Sequence, residues 1–196
     1  MDRAQLVEKL LNDGNGTLFA SVAVREGLPR SELSRMARLG ELDRVERGVY
    51  VRAGELDDEM YSLQRRARKI VYSHESALFL HGLTDRTPIL HSITVPNAYK
   101  PSSALKARCR VFYVRPELIG LGKMPLPTGM GHEVISYDRE RTMCDVLRSR
   151  EKMDRQIVID ALKRYVAANP DLNRLSEYGG KFGIRGVLRQ YLEVLL

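Results

Sequence analysis

Between residues 30 and 52 the spacing of apolar side chains changes from helical to alternating across a single glycine, with arginines on both sides of the change. In "RSELSRMARL", Leu33, Met36 and Ala37 stand at i, i+3 and i+4, which predicts a helix from Pro29 or Arg30 to Leu39, ended by Gly40 in the left-handed conformation. At about 100° per residue, Ser31, Ser34, Arg35 and Arg38 fall on the side away from that stripe. After Gly40, "ELDRVERGVYV" alternates through Leu42, Val45, Val49 and Val51, and "ERG" supplies a tight turn. A short helix with an arginine and serine outer face, followed by a ribbon bearing Arg44, Arg47 and Arg52, leaves few folds open.

The residues before it narrow the choice. Ala4, Leu6, Val7, Leu10 and Leu11 predict an amphipathic helix over residues 2–12, closed by "NDGNG". Thr17 is expected to cap a second short helix through Ala20, Val22, Ala23 and Val24, which stops at Gly27 and Pro29. Helix, helix, turn, helix and hairpin within about fifty residues is the winged helix-turn-helix order. On that reading Ser31, Ser34, Arg35 and Arg38 face the major groove, where a guanidinium fork can grip guanine O6 and N7. Arg30 meets a phosphate at the helix N-terminus, and Arg44 and Arg47 lie along the DNA backbone from the wing. The competing structural explanations are a solubilising helix face and a protein-docking winged helix.

The chain has 196 residues, 43% hydrophobic and 29% charged, and no uninterrupted apolar run long enough for a membrane span. Its N-terminus lacks an export signal, and Cys109 and Cys144 are far apart and in no metal or redox spacing, so a cytoplasmic protein with two buried thiols is expected. The net charge of +7 makes an anionic partner plausible. Residues 1–52 hold nine basic and eight acidic side chains, so most of the excess lies downstream and only arrangement can single out the N-terminal segment.

The acidic shift at "AGELDDEMY" places a linker at residues 53–57, between a winged domain at 1–52 and a second domain at 58–196. The second domain reads as mixed α/β with a helical C-terminus, making the whole chain α+β. Its first element is a helix, "DEMYSLQRRARKIVY", with Met60, Leu63, Ala67, Ile70 and Val71 on one side. Arg65, Arg66, Arg68 and Lys69 on that helix are either a solvated face or an anion-binding surface. Ser73 and Gly82 bound a short helix, "ILHSITVP", "ARCRVFYVR" and "HEVISYD" alternate as strands, and Asp138 caps a helix with Met143, Val146 and Leu147. The C-terminal part is helical: Val158 to Val166, then Leu172 to Tyr178 before "GG". A last run through Ile184, Val187, Leu188, Tyr191, Leu192 and Leu195 should dock on the core.

Catalytic signatures are sparse, and neither a catalytic residue, a metal site nor a cofactor is assigned. "HESAL" and "HEVIS" lack the second histidine of a zinc helix, and Lys181 in "GGKFG" is followed by Phe182, so there is no phosphate-binding loop. Asp138, Glu140 and Asp145 in "YDRERTMCD" could suggest a Mg²⁺-dependent nuclease, but capping by Asp138 and first-turn placement of Glu140 need no metal. A non-enzyme is expected.

"GLPRSELSRMARLGELDRVERGVYV", "YSHESALFLHGLTDRTP", "ITVP", "SYDRERTMCDVLRSR", "DALKRY" and the terminal "LRQYLEVLL" together resemble the AbiEi-type antitoxins of bacterial type IV toxin–antitoxin systems, which act in abortive infection as phage defence. The second and fourth of these blocks are the most specific. The resemblance implies a bifunctional protein. Its winged domain would repress its own operon by binding inverted repeats in double-stranded operator DNA, as a monomer or weak dimer that pairs on DNA. Its second domain would counteract a nucleotidyltransferase-like toxin without needing a stable complex. The implied DNA contacts are Ser31, Ser34, Arg35, Arg38, Arg44 and Arg47, and charge alone puts the antitoxin surface at Arg65, Arg66, Arg68 and Lys69. A DNA-directed nuclease and a ligand-sensing transcriptional regulator are the alternatives.

Overall fold

The computed structural model describes residues 2–195, without the side chains of the last two of these. It divides into one unit of Met1–Arg66 with Thr128–His132 and another of Ala67–Pro127 with Glu133–Leu196. The first unit opens with α1 (Arg3–Asp13), whose N-cap Asp2 accepts from the Arg3 amide at 2.6 Å and forms a reciprocal box with Gln5. Then follow β1 (Thr17–Phe19), α2 (Ala20–Arg25), α3 (Arg30–Arg38), β2 (Leu42–Glu46), β3 (Val49–Arg52) and α4 (Glu59–Arg66). The strands form an antiparallel sheet in the order β1, β3, β2.

Thr17 does not cap a helix, contrary to expectation. It pairs with Val51, Leu18 with Tyr50 and Phe19 with Val49, so this stretch supplies the third strand, and α2 begins at Ala20 without a side-chain cap. Sheet pairing satisfies backbone groups that one capped turn could not. Val7, Leu11, Ala23, Leu28, Leu33, Met36, Leu42 and Tyr50 fill one core, which includes two of the three residues of the α3 stripe, with Ala37 at its margin. Val45 is exposed, because a bulge between Asp43 and Glu46 breaks the alternation that would turn it inward.

Helix α4 belongs to this first unit, although the sequence reading placed residues from 58 onward in the second domain. Tyr61 stacks on His132 with ring centroids 4.0 Å apart, and His132 is hydrogen-bonded through both ring nitrogens, to Asp58 and to the Gly14 carbonyl, each at 2.9 Å. The acidic shift at residues 53–58 marks the connection from β3 to α4, not the boundary between units.

The second unit carries a five-stranded mixed sheet ordered β6, β5, β4, β8, β7, made by β4 (Val71–Tyr72), β5 (His91–Pro96), β6 (Cys109–Val114), β7 (Lys123–Pro127) and β8 (Glu133–Tyr137). Its helices are α5 (His74–Leu80), α6 (Ser103–Arg108), α7 (Arg139–Arg148), α8 (Arg155–Ala167), α9 (Leu172–Lys181) and α10 (Arg185–Leu195). The helix expected to run through Tyr72 ends at Arg66 instead. Val71 pairs with Thr94 and Tyr72 with both Ile93 and Ser136, so tertiary strand pairing overrides a helical period that the apolar residues could equally follow. The run of Arg65, Arg66, Arg68 and Lys69 is therefore not one helix face. Both cysteines are buried and neither forms a disulfide.

The pair "GG", read as the end of a helix, lies inside α9. A Cβ on Gly179 would come within 2.2 Å of Leu188 Cδ1, so the glycine is where α10 approaches α9. Leu175, Tyr178, Ile184 and Leu188 join Met143, Cys144, Leu147 and Leu162 in the second core, with Val187, Tyr191 and Leu192 packed against it, as docking of the C-terminal run required. Leu195, the last residue of that predicted run, has its side chain outside the described residues.

His74, the first residue of α5, is fully buried with φ +49 and stacks on Phe112 at 3.5 Å, its ring nitrogens on the hydroxyls of Ser73 (2.9 Å) and Ser149 (3.0 Å). Burial, reinforced by Arg148, Arg141 and Arg110, holds its pKa well below the ordinary 6.5. The folded state thus resists a proton that the unfolded chain accepts, so stability is unaffected above about pH 6.5 and falls as pH drops below it. His74→Asn tolerates the left-handed backbone and cannot titrate, so its urea midpoint should fall less between pH 7.5 and 5.5 than that of the unmodified chain. Equal falls in the two proteins would refute the assignment.

Candidate nucleic-acid interface

Helix α3 presents its polar face to solvent as the periodicity requires: Arg30, Ser31, Ser34, Arg35 and Arg38 are all exposed, while Leu33 and Met36 are buried. Burying Leu33 alone stabilises this arrangement by about 1.5–3 kcal/mol. The exposed Arg44 and Arg47 stand on the β2–β3 hairpin, whose turn residue Gly48 has φ +78.

Four of these residues, Arg30, Ser34, Arg44 and Arg47, share one cleft, whereas Ser31, Arg35 and Arg38 do not line it. A concavity of about 480 Å³ is lined by Arg30 and Ser34 from α3, Arg44, Arg47 and Tyr50 from the hairpin, Phe19 and Ser21 around the start of α2, and Arg65 and Arg66 from α4. The sequence reading missed Phe19, Ser21 and Tyr50 and put Arg65 and Arg66 elsewhere. The only signal in the sequence was the density of basic residues around position 66.

The arginines differ in what they already hold. Arg35 clasps Glu32 through Nε and a terminal nitrogen at 2.8–3.3 Å, a hydrogen-bonded pair that holds the Glu32 carboxyl below its ordinary pKa and Arg35 above its own. Arg52 bonds Glu8 and Asn12. Arg44 reaches only the Glu46 carbonyl, at 3.4 Å, and Arg65 lies over aromatic rings. Among the described residues, Arg30, Arg38, Arg44, Arg47 and Arg65 have no carboxylate partner. Ser34 donates to the Arg30 carbonyl, which ties its hydroxyl to the helix. The unpaired guanidinium groups can take up anionic oxygens without first giving up a carboxylate.

In the second unit, the acids that could have suggested a nuclease have separate partners. Asp138 caps α7 through the Arg141 amide at 2.7 Å and accepts from Tyr178. Glu140 accepts from Tyr165, and Asp145 is buried against Arg141. No three-residue group of potential metal ligands occurs among the described residues. A groove of about 400 Å³ is lined by Pro88, Ile89, Leu90 and Ile157, but its charged members are engaged: Glu75 with Arg110, and Arg86 with Asp154. A ligand-sensing site needs polar groups free to converge on a bound molecule. No helix among the described residues is long and apolar enough to cross a membrane.

The fold is similar to that of the RV2827C protein from Mycobacterium tuberculosis, with a TM-score of 0.64 at 16% identity over 90% of this chain and 70% of that one. A search of curated proteins finds no match. A family profile described as "Transcriptional regulator, AbiEi antitoxin" matches residues 8–53, which run from α1 through the hairpin and contain every α3 and hairpin arginine of the cleft. Over that segment the chain is similar to transcriptional regulators of the AbiEi antitoxin family, and the match covers the first of the motifs that carried the resemblance.

Proposed function

We propose that this chain is an autorepressor and antitoxin whose first unit acts as a winged helix-turn-helix domain on duplex DNA. The reading rests above all on one observation: Arg30 and Ser34 on the exposed face of α3 and the unpaired arginines of the hairpin open onto a common cleft. Helix α3 enters the major groove, with Ser31, Ser34, Arg35 and Arg38 toward the bases. Arg30, Arg44 and Arg47 hold phosphates on either side. The DNA is the promoter of the chain's own operon, bound at inverted repeats, and the second unit counteracts a nucleotidyltransferase-like toxin. Arg68 and Lys69 remain candidates for that second role on charge alone.

Gel shifts with the upstream region of the chain's own reading frame test the repressor half. Arg38→Ala should weaken binding roughly 10- to 100-fold and relax base preference at one position per half-site. Arg35→Ala should do less, because its guanidinium must leave Glu32 to reach a base. Unchanged affinity in the double variant would dismiss α3 as the reading helix. Co-expression with the adjacent toxin gene tests the other half, with restored growth as the expected result.

A further inference from the structure

Helix α4 lies beyond the segment matched by the family profile, yet its last two residues line the same cleft as Arg30, Arg44 and Arg47. The two do different things there. Arg65 is exposed and lies 5.6 Å from the Phe19 ring centroid and 6.0 Å from that of Tyr61. Cation–π attraction holds such a guanidinium in place without neutralising its charge. Tyr61 is itself fixed by stacking on His132, whose two ring nitrogens are both engaged. The orientation of Arg65 is therefore set before any ligand arrives, which lowers the ordering entropy of binding.

Arg66 turns instead toward the hairpin. It donates to the Arg47 carbonyl at 2.6 Å and forms an ion pair with Glu46. Those are the two residues immediately before Gly48, so one guanidinium grips the strand just where it turns.

From this we infer that α4 is part of the DNA interface: Arg65 contacts a backbone phosphate, and Arg66 is a positioning residue that sets the hairpin tip and with it Arg47. The inference rests on the DNA-binding reading above. It moves both residues from the antitoxin surface, where charge alone had put them, to the operator-facing side. It also makes the functional DNA-binding module extend through residue 66 rather than stop at the hairpin.

Fluorescence anisotropy on the full chain decides it, using a short random-sequence duplex and the chain's own promoter duplex over about 50 to 200 mM salt. Arg65→Ala should weaken both duplexes alike, by about fivefold, and flatten the plot of log affinity against log salt by about one unit of slope. Arg65→Lys, which keeps the charge, should retain most of the slope. Arg66→Ala should also weaken binding, and Arg66→Lys should not restore it, because an ammonium cannot span the carbonyl and the carboxylate as the planar fork does. Lys163→Ala, an exposed charge on α8, should change nothing. Should alanine at 65 disturb the aromatic stack, Arg65→Gln removes the charge while keeping the stem. If neither Arg65→Ala nor Arg65→Gln alters affinity or slope while Arg47→Ala lowers both, α4 has no place in the interface and the DNA reading stands. If Arg47→Ala is silent as well, the DNA reading itself fails and takes this inference with it.

Discussion

Asp145→Ala is expected to destabilise the chain by about 3–5 kcal/mol. Asp145 and Arg141 are both fully buried, joined by a 3.0 Å bond from Arg141 Nε, with Arg148 on the second carboxylate oxygen at 3.2 Å. Burial pushes the Asp145 carboxyl up, and Arg141 and Arg148 oppose that shift. Arg141 further donates to the Leu118 and Leu121 carbonyls and lies 4.0 Å from the Tyr137 ring and 4.4 Å from that of Phe182. Those contacts position the guanidinium but leave its charge uncompensated once the carboxylate is gone. At this chain length the loss corresponds to a drop in Tm of roughly 6–20 °C. Asp145→Asn, which keeps an acceptor, should lose less, and the double change Arg141→Met with Asp145→Ala should recover much of the deficit by removing the stranded charge. Thermal melting of the three variants is the measurement. A double variant no more stable than Asp145→Ala would mean that packing, not charge compensation, sets the penalty.

Removing Arg30, Arg44 and Arg47 together should abolish most DNA affinity while leaving the fold intact. All three are exposed, and none holds a carboxylate among the described residues, so alanine leaves no buried partner stranded. If each neutralises one phosphate, the triple variant should lose about 100-fold in affinity for any duplex near 0.15 M salt, and the salt slope should flatten by nearly three. Circular dichroism should be unchanged. A triple variant that still binds with the original slope would show that the cleft is not where DNA sits.

The two expectations draw on different levels of information. The α3 stripe of Leu33, Met36 and Ala37 and the outward arginines were legible because helical periodicity is local, and one glycine after residue 39 suffices to end the helix. Strands β5, β6 and β8 were legible from alternation, and the cap at Asp138 from its position before an apolar run. What escaped depended on partners distant in the chain. Thr17–Phe19 looks like a helix start until Val49–Val51 is beside it. Val71–Tyr72 continues a helical pattern until β5 and β8 take it up as a strand. Gly179 looks like punctuation until Leu188 fills the space above it.

The basic run from Arg65 to Lys69 shows the same limit in the functional site. Composition marks it as a positive cluster, and no spacing rule says which surface it serves. Aromatic and hydrogen-bonding contacts through Phe19, Tyr61 and His132 hold α4 in the first unit, against the cleft, and the chain leaves that unit between Arg66 and Ala67.

By itself, then, the amino-acid order determined the helices and strands whose periods are strong, the outward face of α3, and the likeness of residues 8–53 to a regulator family. Tertiary structure alone decided which arginines are free and which are tied to carboxylates, which unit α4 joins, and where Asp145 finds its counter-charge. The physical reason is range: periodicity and capping act within a few residues, whereas ion pairs, strand pairing and ring stacking join side chains tens of positions apart, and only the folded chain brings them together.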